Sequence, residues 1–238
     1  MITPERLKCL KNLQHSLDYY FRDPLLLNKA LTHRSYANEN HNISYNNERF
    51  EYLGDCVLDL IVSDYTVKNY VNHSEGVLSK IRAAVVNEHR LAELAKKISL
   101  GDYLLLGKGE ELSGGREKNS LLANTFEAIA GAVYFDAGQK TAHAIFLPLL
   151  EENIKIFAET SEFRDYKSEL QEFTQNKLSC VPSYKVEKEV GPDHEKTFHV
   201  AVLIRQRKSG MGKGRTKKEA EQAAAKSALV KIEPISTS

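Results

Sequence analysis

The sequence predicts an all-α domain followed by a small α+β domain of order α-β-β-β-α. Three observations carry this expectation. From residue 24 to 157 apolar side chains recur at spacings of three and four, with almost no strand-like alternation. From residue 184 to 204 the spacing changes to two. The charge changes as well: residues 1–160 hold 18 Lys/Arg against 21 Asp/Glu, a balance of −3, and residues 161–238 hold 15 against 11, a balance of +4. At 238 residues, 42% apolar and 27% charged, the chain has room for two cores and is neither collagen-like, disordered nor a bare coiled coil.

In order, the helical spacing covers residues 24–31, 50–71, 77–98, 120–135 and 141–157. Residues 107–119, GKGEELSGGREKN, form a polar loop that lacks the pattern of a phosphate-binding Walker loop. These elements predict a helical domain over residues 1–158. The polar break ETSEFR predicts a linker at 159–164, followed by a second domain at 165–234 and a tail at 235–238. Residues 166–178 fit one helix. Tyr184, Val186, Lys188 and Val190 then alternate with Lys185, Glu187 and Glu189, and the turn Gly191-Pro192-Asp193-His194 leads to the alternating run Phe198, Val200, Val202, Ile204. A weaker third strand is expected at 207–213. The last helix, 217–231, opens on Thr216-Lys217-Lys218-Glu219, a capping-box pattern.

The opening MITPERLKCLKNL shows no basic segment followed by an apolar core, and no run of 18 apolar residues occurs. The expectation is a soluble cytoplasmic chain with no membrane partner. Cys9, Cys56 and Cys180 lie far apart without zinc spacing and are expected as isolated buried thiols of a reducing compartment.

The chemistry concentrates in residues 47–61, NERFEYLGDCVLDLI. On a helix, with Glu48 at zero, Glu51 falls at roughly 300°, Asp55 at 340° and Asp59 at 20°, while Leu53, Val57, Leu60 and Ile61 fall between about 120° and 220°. One edge is therefore carboxylate and the opposite edge is core. Like charges at these spacings cost about 0.2–0.5 kcal/mol per pair, which a solvated surface helix tolerates, so this edge alone does not establish a site. Residues 121–135, LLANTFEAIAGAVYF, are apolar nearly all round, with Glu127 the single charge and Asn124 three residues earlier on the same face. A carboxylate on such a helix needs a cation or a proton. One resolution is an internal Lys or Arg partner. The other gathers Glu51, Asp55, Asn124 and Glu127 around Mg²⁺, a hard ion that takes oxygen ligands and keeps several waters. A water acidified by such an ion is a nucleophile suited to phosphodiester hydrolysis.

At these residues the chain resembles the ribonuclease III family, whose signature is close to N-E-R-L-E-F-L-G-D; here it reads NERFEYLGD at residues 47–55. The resemblance continues through LTHRS at 31–35, EGVLSKIR at 75–82, GGREK at 114–118 and residues 122–131, and it covers nearly the whole chain. The tail, with GPDH at 191–194 and KKEA at 217–220, resembles the family's double-stranded-RNA-binding domain. The resemblance implies a helical endonuclease domain joined to that RNA-binding domain. The activity it implies is a homodimer cutting both strands of double-stranded RNA with Mg²⁺, or Mn²⁺ in its place, and no other small-molecule cofactor. The products would be staggered ends with 5′-phosphates, and the role would be in processing ribosomal, messenger and transfer RNA. By motif, Glu51, Asp55 and Glu127 match metal-binding and catalytic acids, and Glu48 and Glu75 match further acids of the cleavage valley. Where the family often has Asp the chain has Asn124, which keeps an oxygen ligand and loses a charge. Tyr52 replaces the family's Phe, the ring that plugs into the partner subunit.

In the tail the resemblance places Ser168, Gln171, Glu172 and Gln175 against one RNA minor groove, His194 against the next, and Lys217 and Lys218 on phosphates at the start of the last helix. Eight basic residues and no acid lie between Lys196 and Lys218. Two other functions compete with the leading reading. A non-cleaving double-stranded-RNA-binding protein with a weakened metal site is favoured by Asn124 alone. A helical metal hydrolase of small phosphates is disfavoured by the basic tail.

Overall fold

The computed structural model describes residues 2–160, 165–192 and 195–232. The chain divides into two compact units, Met1–Tyr70 with Leu78–Thr160, and Val71–Val77 with Ser161–Ser238. The expected fold class holds: the first unit is helical, and the second is a helix, a three-stranded sheet and a helix.

The first unit contains α1 (Pro4–Ser16), α2 (Pro24–Ala30), α3 (Arg34–Glu39), α4 (Glu48–Asn69), α5 (Glu75–Val85) from Leu78 onward, α6 (Glu88–Lys97), α7 (Lys108–Leu112) and α8 (Asn119–Glu159). The backbone of α8 leaves the helical region at Gly138, φ 80°, so two helical stretches meet there. Helices α4 and α8 pack on each other more extensively than any other pair of elements. Their facing side chains, among them Leu58, Ile61, Val62, Leu122, Phe126 and Ile129, are buried to 2% exposure or less. The contact is close because both helices place glycine at the crossing. A Cβ on Gly54 would overlap the Glu127 carbonyl oxygen, and one on Gly131 would overlap the Phe50 carbonyl oxygen.

Several elements differ from the sequence expectation. Residues 77–98 are not one helix. Val86 and Asn87 break the run, and Asn87 caps α6 by accepting the Arg90 N–H on Oδ1 at 3.0 Å. The polar loop at 107–119 contains α7 and a 3₁₀ turn at Gly115–Glu117. Helices α1 and α3 were not expected. On α4, Leu60 is 46% exposed, on the rim of the core edge rather than in it, and Cys56 is exposed rather than buried. Among the described residues no helix is long and apolar enough to cross a membrane.

The second unit contains α9 (Tyr166–Leu178), β1 (Ser183–Val190), β2 (Thr197–Ile204), β3 (Arg207–Gly214) and α10 (Lys217–Ile232). The sheet is antiparallel in the order β1-β2-β3. Its core joins Leu170, Val200, Val202, Ala220, Ala224 and Ala228. On β3, Gly210, Gly212 and Gly214 face α10 so closely that a Cβ on any of them would meet the α10 backbone. Half of the expected capping box forms: Thr216 Oγ1 accepts the Glu219 N–H at 3.1 Å, while the Glu219 carboxylate reaches one residue further back and accepts the Arg215 N–H at 2.9 Å.

Candidate functional site

The start of α4 is anchored by the segment before α3. The Asn47 N–H donates to the Thr32 carbonyl at 2.8 Å, and Thr32 bridges Leu105. This brings Arg34 beside the first turn of α4, where its guanidinium stands 3.5 Å from the Glu48 carboxylate. Glu48 also accepts from Asn46 Nδ2 at 3.0 Å. His33, Arg34, Glu48, Glu51, Ser120 and Asn124 border a polar cavity of about 280 Å³.

The glycine contact between α4 and α8 then sets Glu127 beside the acidic edge. Its carboxyl is pushed up to about 7, first by burial and then by the charges of Asp55, Glu51 and Asp59. Among the described residues no Lys or Arg pairs with it, so the internal ion pair considered from the sequence is absent. Burial and then Glu48 raise the Glu51 carboxyl, opposed by Arg34 and by a hydrogen bond from Asn124. Burial also raises Asp59, opposed by Arg82, whose Nε lies 3.5 Å away. Glu51, Asp55, Asn124 and Glu127 thus interact as one group. Glu48 and Asp59 flank it, each with an arginine.

Among the described residues no three Asp, Glu, His or Cys side chains stand close enough together to hold a metal ion as they are placed. The donor set still suits a hard cation. Its donors are all oxygen, and its charges repel one another with no counter-ion at Glu127. Glu75 is exposed in the first turn of α5 and does not figure among the charges that shift Glu51, Asp59 or Glu127. Tyr52 is 78% exposed on α4, with Cys56 and Leu60 exposed one and two turns on. A second, more apolar cavity of about 620 Å³ is bordered by Leu26, Ile43, Tyr45, Phe50, Leu53 and Phe135.

In the second unit Gln171, Glu172 and Gln175 are exposed on α9. Ser168 is half-buried and serves its own helix, its hydroxyl donating to Asp165 Oδ2 at 3.0 Å. Lys217 and Lys218 are exposed in the first turn of α10. His194 lies outside the described residues. Sequence reasoning gave no role to Arg34, Arg82, Gly54 or Gly131. A signal existed for the glycines, each the smallest residue on the packed face of its helix.

Comparisons with known proteins agree with this division. A family model described as Ribonuclease-III-like matches residues 23–153, and one described as Double-stranded RNA binding motif matches residues 166–232. Ribonuclease 3 of Borreliella burgdorferi is 47% identical over 228 residues, 96% of this chain and 91% of that protein. Ribonuclease 3 of Treponema denticola is 45% identical over 225 residues, 94% and 92% respectively. Among solved structures, a nuclease domain of ribonuclease III from Campylobacter jejuni is 46% identical with a TM-score of 0.57, covering 60% of this chain and 97% of that one. It is described as showing structural flexibility in a region involved in dimer formation.

Proposed function

The chain belongs to the ribonuclease III family of double-strand-specific endoribonucleases, and from that membership we propose a Mg²⁺-dependent homodimer that hydrolyses one phosphodiester in each strand of an RNA duplex. The observation that carries the proposal is Glu127, a carboxylate from an apolar helix set among three other acids, its pKa near 7 and no cation paired to it among the described residues. Glu51, Asp55, Asn124 and Glu127 would hold the Mg²⁺, with Mn²⁺ as a substitute. When bound, the ion supplies positive charge against the phosphate and acidifies water.

The chain's own residues do the rest. Asp55 and Glu127 carry the chemistry, and a carboxyl near pKa 7 suits Glu127 to hold or release a proton at neutral pH. Glu48, steadied by Arg34 and Asn46, lines the valley, and Glu75 is a further acid of that valley. Ser168, Gln171, Glu172, Gln175 and His194 meet the minor grooves, while Lys217 and Lys218 meet phosphates.

The exposed Tyr52 ring and the apolar cavity beside Phe50 and Leu53 support the dimer. The ring of one subunit fits a socket of this kind on the other, and two-fold symmetry presents one acidic group to each strand. The products are staggered ends with 5′-phosphates, the compartment is the cytoplasm, and the substrates are structured ribosomal, messenger and transfer RNA precursors. Labelled duplex RNA tests the core of the proposal. Cleavage with Mg²⁺ that stops on adding EDTA is expected. Binding without cleavage in Mg²⁺ would favour the non-cleaving reading that Asn124 suggests.

A further inference from the structure

The basic face of the second unit contains one acid in an unexpected place. By alternation Glu189 belongs with Lys185 and Glu187 on the side of β1 away from the helices. The ladder differs: its register shifts between Val186 and Lys188, so Val186 pairs with Val200 while Glu189 pairs with Phe198. Directly opposed residues share a face. A one-residue bulge reverses the side on which every later residue points. Glu189 therefore lies on the helix side of the sheet, with Phe198. There its carboxylate stands 3.5 Å from the Lys196 ammonium and 3.6 Å from that of Lys217, the first residue of α10. The Lys217 ammonium also lies 5.6 Å above the Phe198 ring.

We propose that Glu189 is an internal counter-anion, standing where an RNA phosphate would stand between Lys196 and Lys217, and that duplex RNA must displace it. It is thus a positioning residue that limits affinity for the duplex. This rests on the reading that Lys217 meets RNA phosphate. A carboxylate between two ammonium groups offers them the charge and oxygen acceptors that a backbone phosphodiester offers. Exchanging one anion for the other leaves binding weaker than two uncompensated lysines would make it. The bulge gives the face this property, because without it Lys188 rather than Glu189 would point at Lys217.

The test uses the full chain in EDTA with a blunt RNA duplex of about 20 base pairs, longer than the roughly 16 that such a module spans. An exposed ion pair of this kind is worth up to about a fivefold change in affinity, so Glu189→Gln should bind up to about fivefold tighter. The slope of log affinity against log salt should steepen by up to roughly one, because one more phosphate is effectively neutralised. Glu189→Asp should stay close to the parent. Glu187→Gln makes the same charge change on the same strand, at a residue 2.7 Å from Lys208, and should gain less than Glu189→Gln. In a Lys217→Ala background the gain from Glu189→Gln should shrink.

Unchanged or weaker binding by Glu189→Gln, with Lys217→Ala clearly weakened, overturns the proposal and leaves the RNA reading of Lys217 intact. An equal gain from Glu187→Gln also overturns it, since the effect would then be general electrostatics. Undiminished binding by Lys217→Ala overturns the RNA reading of that lysine itself.

Discussion

Glu127 in the first unit has three carboxylates acting on it and, among the described residues, no cation paired to it, whereas Lys217 in the second unit already stands 3.6 Å from an acid. The contrast extends over both regions. On α4 and α8 like charges are held together by backbone packing: Gly54 and Gly131 bring the helices so close that the acids cannot separate without breaking the core. In the second unit several lysines already stand beside acids, Lys208 with Glu187, Lys167 with Glu221, and Lys196 and Lys217 both with Glu189. On the proposed function the first region would be completed by a bound cation. The second exchanges one anion for another. Strong repulsion suits a site that must hold a divalent ion, and balanced pairs suit a surface that must release a long polyanion.

The largest expected effect removes charge from the uncompensated region. Glu127→Gln should lower turnover about a hundredfold or more while duplex binding in EDTA stays near the parent value. Single-turnover cleavage alongside a binding titration checks both halves. Near-normal cleavage would mean that the two regions do not divide chemistry and binding as described. Next in size is removal of the paired region. A chain ending at Thr160 should keep slow cleavage at low salt and lose about tenfold or more in affinity at ~0.15 M salt. A mobility-shift titration at two salt concentrations reads the loss, and unchanged affinity at the higher salt would assign the second unit another partner.

The two regions were not equally legible in the sequence. The acidic edge of α4 could be read directly, because helical spacing fixes which residues share a face and NERFEYLGD puts its acids on one side. Helix α9 runs from Tyr166 to Leu178, the bounds that its spacing predicts. What escaped depends on contacts between elements. The α5–α6 break was hidden because residues on both sides keep the same apolar spacing, and the cap at Asn87 looks like any polar residue. Helix α1 carries a start signal that periodicity overlooks, Thr3 as cap and Pro4 at the first position. The arginines near the acids come from α3 and α5, so no spacing within α4 announces them. The β1 bulge is invisible to alternation, which assumes an unbroken ladder, and it decides which charge faces α10.

The smallest effect is in stability, and its sign follows from the same contrast. Burial and neighbouring acids raise the Glu127 carboxyl from 4.5 to about 7. The folded state therefore binds this proton more tightly than the unfolded chain does. The stabilisation is fully present below about pH 4.5 and is lost as pH rises through about 7. Asp64, Glu93, Glu110 and Glu151 act in the opposite sense, because hydrogen bonds from Lys68, Arg90, Lys118 and Lys155 hold their carboxyls below the usual range. The melting curve of the parent chain alone thus mixes both signs, and only a difference isolates Glu127. In EDTA, Glu127→Gln should melt a few degrees above the parent at pH 8, and the gap should close toward pH 5. Adding Mg²⁺ at pH 8 should raise the parent and move the variant much less, because the cation relieves a repulsion that the variant no longer has. A gap that stayed constant from pH 5 to pH 8 would show that Glu127 carries no uncompensated charge in the folded chain, and the contrast between the two regions would fail at its sharpest point.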